Sequence, residues 1–137
     1  HGCVGGYTVG NDFSSRSIEG QNPLYLPQAK VYDRCFSLGP CVTSAASIGD
    51  PHDLEMELTI ERDGETLFAD ETTTGEMVRT VEELTSFLTR HNVVPELCVL
   101  MTGTALVPSD DVTLQPGDDI EAWIESIGTL ENGVLEV

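Results

Sequence analysis

The strongest constraint on how this chain folds lies between Leu54 and Glu71. Leu54, Met56, Leu58 and Ile60 alternate with Glu55, Glu57, Thr59 and Glu61, the period-two pattern of a strand with one face buried and one wet. Arg62-Asp63-Gly64-Glu65 follows, and an Asp-Gly pair suits the type I′ turn, whose twist matches that of paired strands. The chain must therefore double back as a second strand over 66–71.

Similar reasoning extends to both sides of this hairpin. Residues 3–13 (CVGGYTVGNDF) are β-prone, with Val4, Tyr7, Val9 and Phe13 among glycines. Gly5, Gly6 and Gly10 imply a bulge or close backbone approach. The strand should end at Asn11-Asp12, leaving Asp12 at its mouth. One helical turn fits Ser14 to Glu19. Residues 20–27 (GQNPLYLP) predict a shaped loop, because each proline pushes its predecessor toward extended backbone. A second extended segment is expected over 30–42, passing through Gly39-Pro40, and Asp50-Pro51-His52-Asp53 reads as a turn.

Thr80-Val81-Glu82-Glu83 has the spacing of a capping box. Val81, Leu84, Phe87 and Leu88 follow on one helical face, and the helix should stop before Pro95 with His91 near its negative end. Leu97 to Met101 predicts a short buried strand entering a tight turn at Thr102-Gly103-Thr104. Gln115-Pro116-Gly117-Asp118 is another turn. After it Ile120, Ala122 and Ile124 alternate with acids, and Trp123 falls on the acid-bearing face, so it should pack under a loop or neighbour. Ile127-Gly128-Thr129 turns the chain into a last strand over 130–137. The reading is α+β: mainly β with one good helix, without internal repeat or linker.

At 137 residues the chain fits one domain. Twenty-four acids against six bases give a net charge of −18, and the imbalance is local. Asp12, Glu19 and Asp33 balance Arg16, Lys30 and Arg34, so the excess falls entirely on residues 50–137. Such a field excludes nucleic acid and anionic lipid as partners, and no run approaches the roughly 20 apolar residues of a membrane span. Acid excess with a single lysine points to a salty cytoplasm, where molar salt shortens the screening length to about 3 Å. Cys3, Cys35, Cys41 and Cys98 form no paired or zinc-binding spacing and read as reduced thiols, Cys35 being close enough in sequence to Lys30 for a reactive thiol to be considered. His1-Gly2-Cys3-Val4 has neither an initiator Met nor a signal-peptide layout, so the chain reads as a piece of something longer. The histidines are poor site candidates: His1 at the cut end, His52 in a Pro-containing turn and His91 at a helix terminus, all expected at the surface.

Chemistry concentrates between Gly10 and Tyr32, where Asp12, Arg16, Glu19 and the only lysine, Lys30, stand among neutral neighbours. A carboxylate at a strand mouth suits Mg²⁺, Mn²⁺ or Ca²⁺. A divalent cation nearby would disfavour the ammonium form of Lys30, making it a general base, or, if still charged, a stabiliser of a developing enolate. The residues alone also allow a structural Asp at a strand end and a Lys30 that merely bridges Asp33.

Asn11-Asp12-Phe13-Ser14-Ser15-Arg16 followed by Lys30 resembles the N-D-x-S-x-R…K signature of the fumarylacetoacetate hydrolase family. The segments DPHDLEMELTIERDGE, LCVLMTGT and LQPGDDIEAWIESIGTL agree in order, so the resemblance covers essentially the whole chain. NPLYLPQAKVY and TGTALVP are most similar to the sugar-acid branch, the 2-keto-3-deoxy-pentonate (arabinonate or xylonate) dehydratases. The hydrolases and decarboxylases usually have G-K-S/G-F around the lysine and proline after T-G-T, where this chain has Ala29-Lys30-Val31 and Ala105.

The resemblance implies a mixed β-sandwich or β-roll, with residues 1–137 forming a C-terminal catalytic domain that is incomplete on its N-terminal side. It implies Mg²⁺ held by Asp12 and by a Glu-x-Glu pair from an upstream part of the same enzyme. Glu55-Met56-Glu57 is a decoy for that pair, since it follows Asp12 and faces water. The implied reaction is dehydration of a small-molecule 2-keto acid through a metal-stabilised enolate. Lys30 and Glu19 would be catalytic, with Glu19 or an upstream group as the acid for the departing hydroxyl. Arg16, Gln28, Gly103 and Thr104 would bind substrate, with Tyr25 near them in the proline loop. Ser17 stands where the family usually has Asp, which would loosen Arg16. A hydrolase or decarboxylase of a 1,3-dicarbonyl or 2-keto acid is the alternative enzyme, and a non-catalytic acidic module the alternative outside enzymes. A cytoplasmic homo-oligomer is expected.

Overall fold

In the computed structural model, which describes residues 3–136, six strands form two antiparallel sheets. The smaller is a ribbon of β1 (Gly6–Asp12) and β2 (Phe36–Ser44). The larger contains β3 (Glu55–Arg62), β4 (Glu65–Thr73), β5 (Asp119–Ile124) and β6 (Gly128–Gly133) in the order β4-β3-β5-β6. Two α-helical pieces accompany them, α1 (Arg16–Glu19) and α2 (Val81–Thr89). The α+β, mainly β expectation is met. His1 lies outside the described residues, as does the end of the last predicted strand; β6 closes at Gly133.

The β3–β4 hairpin turns where the Asp-Gly pair predicts. Asp63 and Gly64 both have positive φ, at 53° and 79°, the signature of a type I′ turn, and Arg62 pairs with Glu65 across it. On the inner side of the larger sheet Ile60, Ile120 and Leu130 are buried. Leu54, Ile127 and Leu130 join Val9 of β1 and Ile48 in one core cluster, with Tyr7, Ala122 and Ile124 packed on it. This cluster joins the ribbon to the sheet.

Residues of β2 divide between two faces. Ser37, Gly39, Cys41 and Thr43 face β6 and its approach. Leu130 would meet a Cβ on Gly39 at 3.0 Å, and the Cys41 thiol and Thr43 hydroxyl donate to the carbonyls of Ile127 and Ser126. Phe36, Leu38 and Val42 point the other way and are exposed.

Asp118 is the one charged residue fully buried among the described residues, at 1% exposure. It closes the 115–118 turn by accepting from the Gln115 N–H and binds Arg62 through both carboxylate oxygens, at 2.6 and 2.9 Å. The Arg62 hydrogen bonds are the main reason its carboxyl sits below the usual carboxylate range.

Four expectations need correction. Leu97–Met101 is no buried strand: the segment is irregular, with Leu97 90% and Val99 51% exposed, and among the described residues no strand edge pairs with it. The second extended segment starts at Phe36, not Lys30, since residues 28–30 curl into a 3₁₀ turn. The proline loop contains a second such turn, Pro23–Tyr25, and Leu26 before Pro27 is helical (φ −51°, ψ −46°) as it closes that turn. His52 is not simply at the surface: its Nε2 accepts the Val81 N–H at 3.1 Å, and its side chain is 25% exposed.

The predicted capping box is formed, with the Thr80 hydroxyl accepting from the Glu83 N–H and the Glu83 carboxylate accepting from the Thr80 N–H. With His52, it fastens α2 at its first turn, where Val81 is buried. Phe87 near the far end is 55% exposed, with the Arg90 guanidinium 4.7 Å above its ring. Among the described residues no helix is long and apolar enough to cross a membrane.

Candidate active site

Asp12 is the last residue of β1, in register with Phe36. Just beyond it the chain leaves its partner strand and turns onto the 28–30 segment. The Phe13 N–H donates to the Cys35 carbonyl at 2.7 Å and the Ser15 N–H to the Ala29 carbonyl at 2.9 Å. Ala29 is 0% exposed, so the 28–30 turn is held in place by a small side chain with no spare space. Its next residue is Lys30, and α1 packs on the same turn.

The result is a direct contact. Lys30 Nζ donates to Asp12 Oδ2 at 2.6 Å and to Ser14 Oγ at 2.6 Å. The two charged side chains remain 32% and 36% exposed, so the pair is fixed in place and still open to solutes. The Cys35 thiol donates to the Lys30 carbonyl at 3.3 Å, which gives it a local structural partner. Asp33 does not compete for Lys30; it lies beside Arg34 at 3.8 Å, both well exposed.

The other sequence candidates are placed less centrally. Arg16 reaches away along the surface, donating to the Ser109 carbonyl and pairing with Asp110. Ser17 lies next to Ser15, hydroxyl to hydroxyl at 3.3 Å, and Arg16 is held by the distant loop instead. Glu19 closes α1 and is half-buried, and its carboxylate accepts no hydrogen bond among the described residues. Gln28, Gly103 and Thr104 are exposed and Tyr25 is 43% exposed. The Thr104 hydroxyl accepts from the Leu106 N–H at 3.0 Å. Gly103 has φ +92°, a conformation that favours glycine. The segment carrying them lies beside β1, since a Cβ on Gly10 would stand 2.7 Å from the Met101 sulfur. Asp12, Ser14 and Lys30 are thus brought together, whereas Glu19, Gln28, Gly103 and Thr104 make no hydrogen bond to them.

Sequence reasoning missed two partners. Ser14 belongs to the quoted motif, but its hydroxyl's service to Lys30 becomes visible only when the 28–30 turn folds back. Asp110 is an acid in a loop far along the chain, and nothing in its spacing points to Arg16.

Among the described residues no three His, Cys, Asp or Glu side chains gather into a metal cage. Asp12 still fits a hard cation as one ligand, because Oδ2 is engaged by Lys30 while Oδ1 makes no hydrogen bond among the described residues. Magnesium sites commonly take only one or two carboxylates, with water or substrate oxygens filling the remainder. Glu57 is elsewhere, lining a shallow 220 Å³ depression with Thr59, Glu121, Trp123 and Thr129 on the outer sheet face. The mouth of β1 thus sets a carboxylate oxygen without a hydrogen bond among the described residues beside a lysine nitrogen.

The family model described as fumarylacetoacetate (FAA) hydrolase C-terminal matches residues 1–135. The chain belongs to this family. Among fumarylacetoacetate hydrolase relatives, a "probable 2-keto-3-deoxyxylonate dehydratase" of Haloferax volcanii is 62% identical over 136 residues, covering 99% of this chain and 47% of that protein. A 2-dehydro-3-deoxy-D-arabinonate dehydratase of Saccharolobus solfataricus is 41% identical over 130 residues, covering 95% of this chain and 44% of that protein. A solved structure of 2-keto-3-deoxy-D-arabinonate dehydratase, complexed with magnesium and 2,5-dioxopentanoate, superposes with a TM-score of 0.91 at 41% identity, covering 93% of this chain and 46% of that one. The chain spans less than half the length of these proteins.

Proposed function

We propose that this chain is the C-terminal catalytic domain of a Mg²⁺-dependent hydro-lyase that dehydrates a 2-keto-3-deoxy sugar acid. The observation that carries the reading is the direct Asp12–Lys30 contact, formed by the signature residues of a chain 62% identical to a dehydratase. The related structure with magnesium and 2,5-dioxopentanoate supports the metal and the substrate class. That compound is a 2-keto acid ending in an aldehyde, which is what a 2-keto-3-deoxy-pentonate becomes on losing water.

Asp12 would hold Mg²⁺ through its free oxygen, with a Glu-x-Glu pair from elsewhere in the same polypeptide completing the ligand set. The chemistry a bound Mg²⁺ supplies is Lewis-acid polarisation of the 2-keto oxygen, which acidifies the neighbouring C3–H. Lys30 takes the C3 proton, its Nζ aimed by Ser14. Glu19 gives a proton to the C4 hydroxyl, which departs as water, and the C3–C4 double bond left behind tautomerises to the terminal aldehyde. Gly103 and Thr104 hold the substrate carboxylate through backbone and hydroxyl donors, with Arg16 and Gln28 lining the pocket.

The acid excess, the single lysine and the Haloferax relative support a salt-adapted enzyme; a cytoplasmic location and assembly from identical subunits are part of the proposal. Incubating the full-length polypeptide with a 2-keto-3-deoxy-pentonate and Mg²⁺ tests the reaction. One equivalent of aldehyde without CO₂ is expected, whereas CO₂ release or carbon–carbon cleavage would instead make it the decarboxylase or hydrolase.

A further inference from the structure

Asn132 on β6 gathers two donors with one oxygen. Asn132 Oδ1 accepts from Asn11 Nδ2 at 3.3 Å and from Ser37 Oγ at 2.9 Å. Asn11 and Ser37 are directly opposed on β1 and β2, and the next pair along the ladder is Asp12 with Phe36. Successive strand residues face opposite sides, so Asn11 turns toward β6 while Asp12 turns toward Lys30. Asn132 is itself anchored in the larger sheet, in register with Ile120, which is 4% exposed.

We propose that Asn132 is a positioning residue for Asp12: its side-chain oxygen pins the mouth end of the β1–β2 ribbon to the larger sheet and so fixes the direction of the proposed metal-ligating carboxylate. The need is physical. A two-stranded ribbon is marginally stable alone, and its last pair is where it frays. The hydrophobic cluster grips β1 at Val9, three residues before Asp12; beyond it Gly10 meets the Met101 side chain, and the Asn132 hydrogen bonds tie the Asn11–Ser37 pair to the larger sheet. Outer partners of metal ligands typically change metal affinity or activity by about 10–100-fold when removed.

This inference rests on the reading of Asp12 as a Mg²⁺ ligand, and the test separates the two. Isothermal titration of the full-length polypeptide with Mg²⁺ alone is the measurement, with circular dichroism and thermal melting as the check on folding. Asn132→Leu keeps the size but removes the acceptor, and should weaken Mg²⁺ binding about tenfold. Asn132→Asp keeps an acceptor oxygen for both donors and should restore affinity to within about threefold of the parent, a rescue that mere strand packing would not give. Unchanged affinity in folded Asn132→Leu, or equal loss in both variants, overturns the proposal. Should Asn132→Leu not fold, Ser37→Ala decides. A two- to threefold loss supports the proposal and unchanged affinity overturns it. If Asp12→Asn binds Mg²⁺ normally, the functional reading itself fails; if only Asn132→Leu binds normally, the positioning role alone does.

Discussion

The larger sheet and the β1–β2 ribbon handle charge in opposite ways. On the outer face of the larger sheet acids stand directly across from acids: Glu57 from Glu71, Glu61 from Asp119 and Glu121 from Glu131. Like charges so opposed destabilise a sheet unless they are screened. The ribbon carries a single acid, Asp12, which is matched by a lysine at 2.6 Å, and its outward stripe of Phe36, Leu38 and Val42 is apolar. One region tolerates diffuse repulsion because its buried side holds it together; the other has one charge pair whose geometry is fixed. Stability should therefore respond to substitutions in the sheet and turnover to substitutions in the ribbon.

Breaking that division is easiest at Lys30. In the full-length polypeptide Lys30→Ala should lower kcat about 10³-fold while moving the melting temperature little; unchanged turnover with normal Mg²⁺ binding would remove the mechanism. Asp118 supplies the converse case. Asp118→Asn should cost about 2–3 kcal/mol of stability at neutral pH, measured by denaturant unfolding, with kcat preserved. Because the folded state lowers the Asp118 pKa, its contribution is full above the unfolded value of about 3.9 and is lost as the pH falls below it. The variant's stability should accordingly depend less steeply on pH below about 4. Thr80→Ala, which removes the cap of α2, should cost about 1 kcal/mol. The smallest effect is expected for Glu131→Gln, a gain of about 0.3–0.5 kcal/mol at low salt that vanishes in molar salt. An equal gain at both salt levels would show that the opposed acids are not what strains the sheet.

What could be read in advance follows the same boundary. The hairpin at Asp63-Gly64, the capping box at Thr80 and the turn at Gln115–Asp118 are local patterns, complete within a few residues. Their physics needs no distant partner. Leu97–Met101 failed for the opposite reason. A short apolar run does not reveal whether a neighbouring strand exists to pair with it, and among the described residues none does. His52 was misjudged because its partner, the Val81 amide, lies far along the chain. At the site, the motif brought Asp12 and Lys30 into view, but not their direct contact, which depends on the fold-back through Ala29. The Arg16–Asp110 pair was not legible at all.

Gly10 carries a consequence of its own. The missing side chain leaves a notch that the Met101 sulfur fills, two residues from Asp12 on one side and two from Gly103 on the other. A methyl at position 10 would claim that notch, and the Met101 thioether, the far end of an unbranched side chain, would have to swing out of it.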